Sequence, residues 1–194
     1  MSDPAPDPRP RSLIDHLTID HLLPGAVRRV RVTGFDGADV LVRLLDGEGD
    51  AETGRIPRHE ASMRRTEHPS ELFEVGQELD AEEIGRWRGG RLHLSARACE
   101  SPALRSFLLG FVPGQVVAGT VAAVQNFGVF VHVDGEPDGR CTGFIRVPDL
   151  TWGHIGHPSE VVEAGRPITA EVIVVDTRSG QVTLFLKRAP KARC

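Results

Sequence analysis

Lysine is almost missing from this chain of 194 residues: of its 23 basic residues only Lys187 and Lys191 are lysines, and the rest are arginines. Against 27 acidic residues the formal net charge is −4. Bulk charge therefore gives no general attraction to nucleic acid, and any such binding must come from a local patch. Cysteine is sparse too. Cys99, Cys141 and Cys194 are odd in number and far apart, which argues against a disulfide framework and against a zinc site. Aromatic residues make up only 5% of the chain. No apolar run approaches the roughly 20 residues that a membrane helix needs, so no membrane association is expected. The opening "MSDPAPDPRPR" lacks the apolar centre of a secretory signal and reads as a disordered tail over 1–11, which makes the cytoplasm the default location. No nucleophile elbow, Walker loop, paired-carboxylate site or zinc-deaminase spacing is present. The chain is therefore expected not to be an enzyme and to need no cofactor.

What the chain does contain is one unit written twice. "HPSELFEVGQ" at 68–77 and "HPSEVVEAGR" at 157–166 stand 89 positions apart, and at that offset the stretch 24–82 matches 113–171 at 17 of 59 positions without a gap. Pro24-Gly25 matches Pro113-Gly114, Val40 and Val42 match Val129 and Val131, and Thr53-Gly54 matches Thr142-Gly143. Such a period in a chain of this length points to two small domains.

The second unit reads as five strands, "VVAGTVAAV", "FGVFVHV", "GFIRV", "ITAEVIVV" and "QVTLFL", because β-branched residues crowd these runs and Gly, Asp and Pro separate them. Between the third and fourth, Pro158 suits a first helical position and Gly165 a stop, giving a short helical turn. Five strands with a short helix between the third and fourth is the layout of an OB-type barrel. Alternation places Phe127, Val129, Val131 and Val133 on the core side and Gly128, Phe130 and His132 outside. The first unit repeats the plan with "VRRVRVTG", "ADVLVRLL", "TGRIP", "ELDAEEIG" and "RLHLSA". Ser12 can cap a helix over "LIDHLTIDHLL"; Ser101, Pro102 and Gly110 bound another in "SPALRSFLLG", whose Leu104, Phe107 and Leu108 form a face suited to packing on a barrel. The expected fold is all-β, two tandem five-stranded OB-fold barrels with short connecting helices. Its parts are a tail at 1–11, a degenerate barrel with its N-terminal helix at 12–98, a helical linker at 99–112, a second barrel at 113–189 and a tail at 190–194.

Four ordered stations in 113–188, "PGQVVAGTVAAVQNFGVFVHV", "TGFIRVPDL", "HPSEVVEAGRPITAEVIVVD" and "LFLK", resemble the S-one-type RNA-binding domain, the repeat of the large ribosomal protein S-one. The first unit is similar at fewer stations: "PGAVRRVRV", "TGRIP", "HPSELFEVGQ" and "LSAR". The resemblance implies that Phe127 and Phe130 line an RNA face on which bases stack. Residues three apart in a strand face opposite ways, however, so one of the two is partly core unless the strand twists or bulges there. Gly128 between them would let a base or ribose come close to the strand. His132 shares the outer face of Phe130 and is read as a stacking or phosphate contact, or as a solvated strand histidine. Arg146 stands where the family often has histidine and keeps a donor with a permanent charge. Asp176 matches the family's acidic residue at the end of the fourth strand. The basic residue usual after that turn is replaced by Gln181, for which Arg178 is the substitute. Lys187 and Arg188 at the exit are candidates for phosphate contact, and Trp152 for a stacking surface or a barrel plug. The i, i+3 pair His154 and His157 has no third soft ligand nearby, and His157 recurs as His68, so no metal is expected.

In the first unit the positions of Phe127, Phe130, Arg146 and Trp152 hold Ala38, Leu41, Pro57 and Met63. Instead it has Arg28, Arg29, Arg31, Arg55, Arg58, Arg64 and Arg65 set against the acidic "DGEGDAE", a charge mixture that reads as a solvated face. The expected function is single-stranded RNA binding of low sequence specificity in translation or RNA metabolism, mainly through the second barrel. The alternative is a protein-interaction adaptor on the ribosome or an RNA-processing complex.

Overall fold

In a computed structural model, residues 24–45, 52–65, 67–86 and 90–186 are described. The expected tails, the helix over 13–23, Lys187, Arg188 and most of the acidic "DGEGDAE" stretch lie outside the described residues.

Ten strands form two closed barrels. The first consists of β1 (Val27–Asp36), β2 (Asp39–Leu44), β3 (Thr53–Ile56), β4 (Glu78–Arg86) and β5 (Leu92–Ser95), in the order β1-β2-β3-β5-β4. The second consists of β6 (Val116–Gln125), β7 (Gly128–Val133), β8 (Gly143–Arg146), β9 (Pro167–Asp176) and β10 (Gln181–Phe185), in the order β10-β8-β7-β6-β9. Both close through a parallel pair, Gly54 beside Leu92 and Gly143 beside Val182. The shared Thr-Gly is the residue pair of this closure. A Cβ on Gly54 would lie 2.7 Å from Leu94 Cδ1, and one on Gly143 2.9 Å from Leu184 Cδ1. Only a missing side chain lets these strands approach so closely. Each long first strand bulges at the same place, between Val32 and Gly34 and between Val121 and Ala123. The bulge supplies the extra twist that a small barrel needs.

The cores follow the alternation of the strands. Val30, Val32, Val40, Val42, Ile56 and Leu94 fill the first barrel, and Val121, Val129, Val131, Ile145, Val172 and Leu184 the second. The duplicated tetrapeptide makes the same 3-10 turn twice, Pro69–Glu71 and Pro158–Glu160. In each the preceding histidine is the cap, its Nδ1 accepting from the backbone N–H of Ser70 or Ser159 at 3.2 Å. In the second turn Glu160 returns the bond, accepting from His157 N–H at 2.9 Å. The helical part is a single turn that ends well before Gly165. His157 is thereby engaged in building the turn.

The connecting helix α1 (Pro102–Leu109) is capped by Ser101 as expected and packs on the second barrel, with Leu104 and Leu108 buried in that core. Arg105 of α1 faces the other way. With it the two barrels meet around buried Glu82 of β4, whose carboxylate accepts from Gly25 N–H at 3.1 Å, from Thr177 Oγ1 at 2.7 Å and from the Arg105 guanidinium. A second link joins Arg178 to Glu60 at 2.9 Å, and Met63 packs against the second barrel's core.

Burial pushes the thiols of Cys99 and Cys141 up to about 11. Relative to an ordinary thiol near 9 this lowers the thiolate fraction at neutral pH by roughly a hundredfold. Alkylation by iodoacetamide at pH 8, followed by mass spectrometry, is expected to be correspondingly slow at both residues in the folded protein and ordinary after denaturation.

Candidate nucleic-acid interface

The antiparallel register of β7 and β8 sets Phe130 opposite Phe144 and Gly128 opposite Arg146. Because Ile145 and Val129 point into the core, Phe144, Arg146 and Phe130 point out. Phe127 does not join the core row as the alternation had placed it. β7 begins only at Gly128, so Phe127 belongs to the preceding turn and is 57% exposed. Its ring meets Phe130 edge-on at 6.0 Å and Phe144 at 6.2 Å, while Phe130 and Phe144 are 5.1 Å apart. The three rings form one half-exposed aromatic surface.

Gly128 serves this surface in a way different from the one expected. A Cβ there would lie 2.7 Å from Phe144 Cζ and 2.5 Å from the carbonyl oxygen of Ile145. The space above Gly128 is thus filled by the Phe144 ring, leaving none for a base. Beside the surface, Arg146 is exposed and oriented by buried Asp149, which accepts from its Nε at 2.7 Å. On the adjacent β10, Phe185 lies on the outer face, and Trp152, 62% exposed, meets its ring at 5.4 Å. Trp152 is therefore open to solvent and does not plug the barrel. His132 lies on the outer face as expected, but its Nδ1 is bound to Glu136 at 2.5 Å, and Glu136 also holds Thr142 through both its backbone N–H and its hydroxyl.

Two of the expected residues are placed elsewhere. Asp176 caps the turn after β9, accepting from the N–H groups of Arg178 and Ser179 at 3.0 and 3.2 Å. Arg178 leaves the outer face altogether and reaches Glu60 of the first barrel, so the turn that was to supply a phosphate contact supplies an inter-barrel one. Phe144 and Phe185 were missed. Phe144 was legible as an outward residue in "GFIR", but its place beside Phe130 depends on the register between strands.

The first barrel shows what the same strands look like without this surface. Leu41 and Arg55 stand where Phe130 and Phe144 do and pair across β2 and β3. Arg55 is held by Asp36 at 2.6 Å and Asp39 at 2.8 Å. Arg31 pairs with Glu78 at 2.6 Å, Arg29 with Asp80 at 3.1 Å, and Arg28 lies 3.8 Å from Glu83.

Residues 111–187 match the family model for the S1 RNA binding domain. The second barrel is an S1 RNA binding domain. The chain is 34% identical over 140 residues to the small ribosomal subunit protein bS1 of Mycobacterium leprae, covering 69% of this chain and 27% of that one. It is 27% identical over 186 residues to the bS1 homolog of Bacillus subtilis, covering 94% of this chain and 45% of the relative. The chain thus spans about a quarter to a half of the length of these curated relatives. Among solved structures, the solution structure of GSP13 from Bacillus subtilis is 26% identical, with a TM-score of 0.36, covering 43% of this chain and 65% of that one.

Proposed function

We propose that this protein binds single-stranded RNA with low sequence specificity, chiefly through the outer face of β7, β8 and β10 of its S1 domain, in translation. The observation that supports it most is the aromatic surface of Phe127, Phe130 and Phe144 next to the exposed Arg146, replaced at equivalent positions of the first barrel by Ala38, Leu41 and an Arg55 tied to two aspartates. Every base has a flat face, so stacking on such rings is tolerant of sequence, and an arginine at the edge adds a phosphate partner. Trp152 and Phe185 extend the surface toward a second base. The bS1 relatives give the setting, translation and the ribosome, as the partner reading.

The test is fluorescence anisotropy with a labelled oligouridylate at two salt concentrations. Saturable binding that weakens as salt rises is the expected result, because phosphate contacts release counterions. Binding that is absent at the highest soluble protein concentration would remove this reading in favour of a protein-docking adaptor.

A further inference from the structure

Two groups of arginines in the first barrel differ in their surroundings. Arg28, Arg29, Arg31 and Arg55 lie beside carboxylates of neighbouring strands. Arg58, whose backbone N–H is bonded to Asp39, gathers with Arg64, Arg65 and Arg97 elsewhere: with His59, Ser62 and Met63 they line a pocket of about 380 Å³ whose lining residues include no Asp or Glu. In a chain of net charge −4 this is a local concentration of positive potential inside a concave surface, where it acts on a ligand most strongly.

The pocket is built by its own bonds. Arg97 donates from one guanidinium nitrogen to the carbonyl oxygen of His59 at 3.0 Å, and its buried Nε has no partner. Two acids lie beside the wall and both are engaged: Glu100 accepts from Ser62 Oγ at 3.0 Å and from Met63 N–H at 2.6 Å, with Arg64 Nε 3.9 Å away, and buried Glu60, 3.7 Å from His59 Nε2, holds Arg178 at 2.9 Å. Arg65 makes no ion pair among the described residues. At the matching positions the second barrel has Val147, Gly153 and His154 in place of Arg58, Arg64 and Arg65, so the cluster is a property of the first copy.

The pocket also lies at the seam between the barrels. Met63 in its wall packs on the second barrel's core, and its sulfur is 3.8 Å from the guanidinium of Arg140. From Arg140 to Phe144 is four residues, on the order of 13 Å of extended chain. Arg140 is thus a single basic residue standing between the pocket and the strand that carries Phe144.

We infer that the first barrel holds phosphate groups of the same RNA strand whose bases stack on the second. This rests on the reading of the S1 face given above and adds a second, phosphate-binding site to it. The pocket wall has no Phe, Tyr or Trp, and its one ring is the imidazole of His59 among four guanidinium groups, whose forks match phosphate oxygens and keep their charge at every working pH. Contacts of this type position a strand without reading its sequence.

Oligouridylates of two lengths test it, one just covering the aromatic surface and one long enough to cross the seam. Arg64→Ala/Arg65→Ala, at two exposed positions, is expected to leave the short oligomer within about twofold of the unaltered protein and to weaken the long one severalfold. The salt slope for the long oligomer should fall by about 1.4, two contacts at about 0.7 each on a single strand. An unchanged affinity and slope on the long oligomer overturns the phosphate site and leaves the stacking face intact. Failure of the unaltered protein to bind the short oligomer counts against the stacking face, and a loss in the arginine variant on the long one still carries the phosphate site. Inorganic pyrophosphate is the second probe. Tight binding of it that the double substitution abolishes, with RNA affinity untouched, would assign the pocket to a free anion and also overturn the inference.

Discussion

Phe127→Ala/Phe130→Leu is expected to weaken binding of single-stranded RNA at least about thirtyfold while the barrel stays folded. The two replacements are the residues that the first barrel carries at these positions, Ala38 and Leu41, on strands of the same register. The same barrel plan carries them in the first unit, Ala38 in the turn before the strand and Leu41 on it. Stacking of a base on an aromatic ring contributes about 1–3 kcal/mol, so losing two rings costs at least about 2 kcal/mol, which is the thirtyfold given. Phe144 remains, but with neither Phe127 at 6.2 Å nor Phe130 at 5.1 Å to support it, its ring loses its fixed orientation. Anisotropy titration against the same oligouridylate reads the effect, and circular dichroism reports the fold. A loss smaller than about threefold would show that the rings are packing and that RNA is held elsewhere.

The largest expected effect on stability comes from Glu82→Ala. Glu82 is 3% exposed, and its carboxylate is shared by Gly25, Arg105 and Thr177. Removing it leaves a mostly buried guanidinium without its counter-charge and two further donors without an acceptor. Breaking a buried pair on one side costs about 3–5 kcal/mol, most of it the penalty of the charge left behind. Urea unfolding is expected to shift by that amount, with Glu82→Gln in between because the amide still offers an oxygen but no charge. A shift below about 1 kcal/mol would mean that water reaches Arg105 in place of the carboxylate.

Much of this was legible in the residues. β-branched runs and their Gly, Asp and Pro breaks located all ten strands to within a few residues, and the Ser-Pro start and Gly end of 101–110 located the helix. The twice-written "HPSE" marked a turn, and its role became plain once the histidine was seen to cap it. What alternation does not contain is which strand lies beside which, and at what register. That is why alternation alone sets Phe127 and Phe130 on opposite sides although both belong to one aromatic surface, why it does not bring Phe144 and Phe185 to that surface, and why it does not show that the Phe144 ring lies over Gly128. Arg178 shows the same limit on a larger scale. Its charge was evident, but its partner Glu60 is 118 positions earlier in the other barrel, and only the packing of the two units brings them together.

The shared carboxylate of Glu82 has a consequence for the history of the repeat. Glu82 and Glu171 occupy the same position in the two units, and Glu82 engages the connecting helix through Arg105 and the other copy through Thr177. Position 82 therefore ties the first barrel both to the connecting helix and to the second barrel. A substitution accepted in one unit is tested against the side chains of the other, so the first barrel, although stripped of its aromatic surface, is not free to drift.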